Sequence, residues 1–290
     1  MIDLDAWERR GQRVTLAGRS IFFVEEGKGD PLLLIHGFPT ASWDWTALWP
    51  GLTPRFRVIA LDMLGFGFSD KPRRHAYTLV EQAGFHAALL AHLGVGEAHI
   101  LAHDYGVSVA QELLARHNEG SLGFAIRSIG FLNGGLFPES HRPLLTQKLL
   151  ASPLGPLVSR VMNERRLARG LSSVFGRATR PSAAEMHAFW RLIARNDGHR
   201  IAHRLIAYME ERRQQRARWV GALTTTSVPL RLINGAADPV SGAHVAARYR
   251  ELVPRPDVVL LDGIGHYPQV EAPERVLDAF LAFVPRGPGA

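Results

Sequence analysis

The stretch Ile100-Leu101-Ala102-His103-Asp104-Tyr105-Gly106-Val107-Ser108-Val109-Ala110 holds the side chain with the most chemistry to offer. An apolar strand runs into a turn of small residues, and a helix begins directly after it. Ala102, Asp104 and Gly106 supply the frame small-x-Asp-x-Gly. That frame marks an elbow, where a nucleophile is pushed out of a strained turn between a closely packed strand and helix. A carboxylate at this point cannot perform the acyl transfer of a serine. It can displace a leaving group from an sp3 carbon and form an ester.

Two partners complete the chemistry, each at the end of an expected strand. Asp238 lies in Gly235-Ala236-Ala237-Asp238-Pro239 after the run Leu230–Ile233, and His266 lies in Gly265-His266-Tyr267-Pro268 after Val258–Leu261. His266, held and kept basic by Asp238, would activate a water against the carbonyl of an Asp104 ester. Asn133 occupies another strand end where an acid could stand, but an amide cannot serve. Charge on the ester carbonyl needs preorganised donors, and the backbone N–H groups of Phe38 and Tyr105 are the candidates. His36-Gly37 positions the first of these. His36 and His103 read as structural.

The elements that must carry these residues follow from periodicity. Arg13–Leu16 and Ser20–Glu25 alternate around Ala17-Gly18 and read as a hairpin. Leu32-Leu33-Leu34-Ile35 is a continuous apolar run, the pattern of a strand buried on both faces of a parallel sheet. Val58–Leu61, the elbow strand, Ile126–Leu132, Leu230–Ile233 and Val258–Leu261 read as further strands, with helical spacing over Trp43–Leu52, Thr78–Leu93, Val107–His117 and Pro273–Phe283. This alternation predicts an α/β fold with a mostly parallel central sheet. Between Leu136 and Leu223 the pattern turns helical, arginine-rich and proline-broken. Residues 1–135 and 223–290 are therefore expected to form the core and 136–222 an inserted helical cap. The glycine-rich stretch Asp62–Asp70 lacks the G-x-G-x-x-G spacing and reads as a structural loop.

Composition bounds the alternatives. The 290 residues include no cysteine, which excludes disulfides, thiolate metal sites and a cysteine nucleophile. No apolar run approaches the roughly 20 residues of a membrane span. The acidic start Met1-Ile2-Asp3-Leu4-Asp5 has no apolar signal core, so a cytoplasmic protein is expected. The tail Pro285–Ala290 is expected to fray. Net charge is +7, and residues 139–222 alone carry sixteen Lys/Arg against six Asp/Glu. No aromatic platform is interleaved with those arginines, so they do not read as a nucleic-acid surface. The expected partners are an apolar small molecule and water, with neither metal nor organic cofactor, on a monomer or homodimer.

The motifs His36-Gly37-Phe38-Pro39, His103-Asp104-Tyr105-Gly106 and Gly265-His266-Tyr267-Pro268, in the order nucleophile, acid, histidine, resemble the epoxide hydrolase and haloalkane dehalogenase branch of the α/β-hydrolases. A closer resemblance is to the mesoderm-specific transcript protein group. It extends through Leu61–Pro72, Asn133–Pro143 and Arg218–Leu223, inserted region included. The resemblance implies the α/β-hydrolase fold with an inserted cap and an Asp104–His266–Asp238 triad. Its dehalogenases place a Trp after the nucleophile and a Trp or Asn elsewhere to hold halide, or an Arg after the nucleophile to hold a carboxylate. Here Tyr105 and Phe38 stand instead, and Phe38 cannot donate. Its epoxide hydrolases donate from cap tyrosines. The cap has one, Tyr208, and the second is missing, with Tyr105 or His141 as stand-ins. Trp190, with Phe189, is a candidate pocket wall. The expected activity is opening of an oxirane to a vicinal diol. Haloalkane dehalogenation is the alternative reaction, and a non-catalytic ligand-binding or signalling protein the alternative class.

Overall fold

The structure is a computed structural model describing residues 1–284. The tail Pro285–Ala290 lies outside the described residues. The chain opens with α1 (Leu4–Arg10), the hairpin β1 (Gln12–Leu16) and β2 (Arg19–Glu26), and β3 (Asp30–Ile35). After a 3-10 turn at Ser42–Trp45 come α2 (Trp49–Leu52), β4 (Phe56–Leu61), α3 (Leu79–His92), β5 (Glu97–Ala102), α4 (Tyr105–Asn118) and β6 (Ala125–Phe131). A helical insertion follows: α5 (Leu145–Leu150), α6 (Gly155–Arg160), α7 (Glu164–Ser172), α8 (Ala183–Ala194), α9 (Ala202–Leu205), α10 (Tyr208–Gln214) and α11 (Arg216–Thr225). The sheet resumes with β7 (Leu230–Gly235), α12 (Ala243–Leu252) and β8 (Val258–Leu261), and the chain closes on α13 (Pro268–Glu271) and α14 (Pro273–Leu281).

The eight strands lie in the order β1-β2-β4-β3-β5-β6-β7-β8. β2 pairs antiparallel with β1 and β4, and all remaining pairs are parallel. Ala17 and Gly18 both have positive φ, at 47° and 73°. This is the two-residue turn whose twist suits an antiparallel hairpin. Period-two alternation divides the core. Leu33 and Ile35 join the apolar layer that holds α3 and α4, whereas Leu32 and Leu34 join the layer that holds Trp7 of α1 and Phe280 of α14. Each fully buried side chain of this kind contributes roughly 2 kcal/mol through area removed from water. Because β3 to β8 run parallel, His36, Asp104, Asn133, Asp238 and His266 all fall at one edge, beyond the carboxyl ends of the strands.

Three features depart from the sequence reading. Helix α1 was not anticipated; Asp3 caps it by accepting the N–H groups of Asp5 and Ala6 at 3.1 Å, and Trp7 buries completely. Its charges reach the insertion, where Asp5 meets Arg191 at 2.5 Å and Glu8 meets Arg195 at 2.8 Å. The helical spacing of Trp43–Leu52 resolves into a 3-10 turn and the short α2, because the apolar residues there face the core from a bent chain. Helix α11 runs across the expected boundary at 222/223 and packs on α4, with Trp219 Nε1 donating to Glu112 at 2.8 Å. The Asp62–Asp70 loop is a hub built on one carboxylate: buried Asp62 accepts the N–H groups of Ser42 and Phe68. Among the described residues no helix is long and apolar enough to cross a membrane.

Candidate active site

Asp104 stands between β5 and α4 with φ 48° and ψ −107°, a left-handed conformation that a non-glycine residue holds only under constraint. Close packing supplies the constraint. A Cβ at Gly106 would sit 2.4 Å from the Ile35 carbonyl oxygen, and one at Gly37 would sit 2.7 Å from Asp104 Cβ. The small residues read from the sequence are thus required by backbone approaching backbone. The Asp104 N–H donates to the Asn133 carbonyl at 2.7 Å, which fixes the elbow to the end of β6.

The two carboxylate oxygens of Asp104 are not equivalent. Oδ1 accepts the Phe38 backbone N–H at 2.8 Å, while Oδ2 faces His266 Nε2 at 3.4 Å. The Tyr105 N–H opens α4 and so has no acceptor within the helix. On its other side, His266 Nδ1 meets Asp238 Oδ2 at 2.7 Å. Asp238 also accepts from Val240 N–H, Ser241 N–H, Ser241 Oγ and Asn133 Nδ2, between 2.6 and 3.0 Å. Asn133 therefore orients the acid rather than replacing it. All three site residues are buried, at 3–6% exposure.

Burial and mutual charge set the protonation. Burial by itself would lower the His266 pKa, but the facing carboxylates of Asp238 and Asp104 outweigh it and raise that pKa above the ordinary histidine value. Burial would raise Asp238, and the opposing imidazole charge and its donors bring it down to about 2. Asp104 behaves likewise: burial pushes up, and His266, with a contribution from Arg212, holds its carboxyl well below the usual range. His36 and His103 are structural. His36 Nδ1 donates to the Gly37 carbonyl and Nε2 accepts Met63 N–H, while His103 Nε2 donates to the His266 carbonyl at 2.8 Å.

Above Asp104 and His266 lies a cavity of about 360 Å³ with a largely apolar wall, including Leu144, Leu150, Val158, Met162, Leu171 and Val240. Polar groups are few there, and Gln147 is the amide among them. This corrects the reading of the inserted region. Tyr208 is fully buried and does not line the cavity; it stands behind Gln147, whose Nε2 donates to its hydroxyl at 3.5 Å. His141 borders a separate void of about 20 Å³ beside Arg212, and burial drops its pKa to about 4. Trp190 packs near His199, with ring centroids 5.6 Å apart, away from the cavity. Phe189 is buried against Trp43 and Tyr267. Helical spacing names the residues on a helix but not the angle at which that helix is rolled onto its neighbours.

Sequence reasoning missed Arg212. It is 2% exposed, donates from Nε to Ser108 Oγ at 2.6 Å and from Nη2 to the Asp104 carbonyl at 3.0 Å, and lies 4.4 Å over the Tyr208 ring. No carboxylate forms an ion pair with it among the described residues, and its charge acts on both Asp104 and Glu211. Among the described residues no group of three His, Asp or Glu side chains is placed to hold a metal.

An eight-stranded, mostly parallel sheet with a strained strand-to-helix turn at its carboxyl edge defines a class, and comparison agrees. The chain belongs to the alpha/beta hydrolase fold family, whose model matches residues 30–273. It is 45% identical to the mesoderm-specific transcript protein of Mus musculus, over 97% of this chain and 88% of that one. It is 43% identical to the putative hydrolase LipZ of Mycobacterium tuberculosis strain H37Rv, covering 96% of each. Among solved structures it resembles haloalkane dehalogenase DbeA from Bradyrhizobium elkani USDA94, with TM-score 0.81, 24% identity and 94% and 97% of the two chains covered. It also resembles epoxide hydrolase CorEH without ligand, with TM-score 0.78, 20% identity and the same coverage. At these identities the structural likenesses speak to the fold.

Proposed function

We propose that the protein is an aspartate-nucleophile hydrolase that opens an oxirane to a vicinal diol. The observation that carries this reading is the strained Asp104, with Oδ1 tied to Phe38 N–H and Oδ2 faced by an Asp238-supported imidazole, at the floor of an apolar cavity. Oδ2 is the oxygen free to attack carbon. The ring oxygen leaves against the Gln147 amide N–H as an alkoxide that takes a proton from water in the cavity, and the hydroxide so formed takes the extra proton of His266, whose pKa is raised in the free site. Once Asp104 is an ester, one of the two carboxylates that raised the His266 pKa is gone. The imidazole then becomes a base for water, and the oxyanion forms against the N–H groups of Phe38 and Tyr105. Residues 136–222 act as the cap that excludes bulk water, and the work needs no metal or organic cofactor.

Haloalkane displacement is the second reading, favoured by one feature of the wall. Gln147 offers an amide, which stabilises a departing anion without needing to protonate it. Intact-mass measurement of His266→Gln separates the two. With its base removed the ester on Asp104 accumulates, adding the whole epoxide mass from epoxides or a bare alkyl group from haloalkanes, and neither adduct forms in Asp104→Ala. No adduct from either panel would remove the nucleophilic reading and leave a fold kept for ligand binding.

A further inference from the structure

Among the described residues, exposed large apolar side chains are concentrated in one place. Leu145, Leu149, Leu154, Leu157 and Val161, on and between α5 and α6, are exposed, Leu145 at 71% and Leu157 at 60%. Elsewhere among the described residues only Met1 and Val80 are large, apolar and exposed. Leu149 and Val161 also line the cavity above Asp104, so the patch continues into the cavity wall. Singly exposed leucines need no explanation, but a group of them that continues into the wall of an apolar cavity does.

The charges beside this patch are unusual in a second way. Arg142, Lys148, Arg160, Arg165, Arg166 and Arg169 are all exposed, against the single acid Glu164 in residues 141–170. Among the described residues none of the six is in an ion pair. Among the described residues, six of the ten arginines later in the insertion are paired, Arg191 with Asp5, Arg195 with Glu8, Arg200 with Asp197, Arg213 with Glu210, Arg216 with Glu139 and Arg218 with Glu112, whereas Arg177, Arg180, Arg204 and Arg212 are not. Unpaired cations are thus concentrated around the exposed leucines. A second copy seated on this face would bring six cations against six. An anionic bilayer instead complements both the charge and the apolar side chains.

We infer that the α5–α7 face docks on an anionic lipid bilayer, and that the cavity takes a lipid-borne, long-chain substrate directly from it. The docking stands on the surface alone, whereas the substrate class rests on the proposed reaction at Asp104.

The test is co-sedimentation of the full chain with vesicles of phosphatidylcholine alone or of phosphatidylcholine with phosphatidylserine. Binding to the anionic vesicles should exceed binding to the neutral ones by about tenfold or more and should weaken with added salt. Leu145→Ser combined with Leu154→Ser and Leu157→Ser should lose most of it, and so should Arg160→Gln with Arg165→Gln and Arg169→Gln. None of these six lines the cavity. Alkylation of Asp104 by a small water-soluble epoxide is therefore expected to be unchanged, while alkylation by a long-chain epoxide dissolved in the vesicles falls. Absence of vesicle binding, or binding indifferent to both variants, overturns the docking. A concentration-dependent dimer that the serine variant abolishes reassigns the face to a second copy. If binding behaves as expected but neither epoxide modifies Asp104, the docking stands and the proposed reaction fails.

Discussion

Replacing Asp104 by Asn tests the electrostatic coupling on which the proposed cycle depends. The variant keeps the shape of the side chain and the bond from Phe38 N–H to Oδ1, and it removes one negative charge 3.4 Å from His266 Nε2. At an effective dielectric of about 20, two unit charges at that distance interact by roughly 5 kcal/mol, or between about three and four pH units. Both groups are buried, so solvent screening discounts little of this; relaxation of the site brings the expected fall in the His266 pKa to about two units or more. The direction is fixed, because the carboxylates raise the pKa in the intact site. Nitrogen-detected NMR titration of imidazole protonation measures it, with His266→Gln assigning the resonance among thirteen histidines. A shift below about one unit would refute the argument that esterification of Asp104 converts His266 into a base.

Three further outcomes follow from the structure. Asp238→Asn should slow turnover by roughly a thousandfold or more while the Asp104 ester accumulates, since the imidazole loses its orienting charge but the nucleophile remains; rapid-quench mass spectrometry would show the ester, and equal slowing of both steps would contradict the assignment. Gly106→Ala should cost on the order of 2–4 kcal/mol in denaturant unfolding, because the new Cβ meets the Ile35 and His36 carbonyls at 2.4 and 2.6 Å. Gly84→Ala, in the middle of α3 with nothing within 4 Å, should instead stabilise by about 0.5–1 kcal/mol.

The sheet and the edge that carries the candidate site were legible because their signals are local. Leu32–Ile35 is apolar without interruption because both of its faces are covered, and Ala102 and Gly106 are small because strand and helix meet there. The rest needed tertiary information. Helix α1 is only seven residues long, and what holds it is the distant contact of Trp7 with Ser42, at 3.2 Å. Arg212 reads as one more arginine on a helix of mixed charge, and nothing in its neighbours along the chain announces that it turns inward beneath the elbow. Gln147 lies on a short, weakly periodic helix, whereas the aromatic Trp190 and Tyr208 drew attention by residue type. Composition points to the residues able to form a wall, and helix rotation decides which ones do.

The N-terminal helix has a mechanical consequence. It is built into the core through Trp7, and through Asp5 and Glu8 it holds Arg191 and Arg195 at either end of the boundary between α8 and the following turn. The insertion is therefore anchored unevenly: its second half is moored to the body by charge pairs, while among the described residues α5–α7 has no charge pair to the body and is held there only just past its end, where the Val174 carbonyl accepts His266 N–H and Gly176 N–H donates to Glu271. Opening the cavity by moving α5–α7 breaks few polar links, whereas moving α8 means uprooting α1 as well. The first ten residues thus serve as a hinge post for a segment more than a hundred positions away.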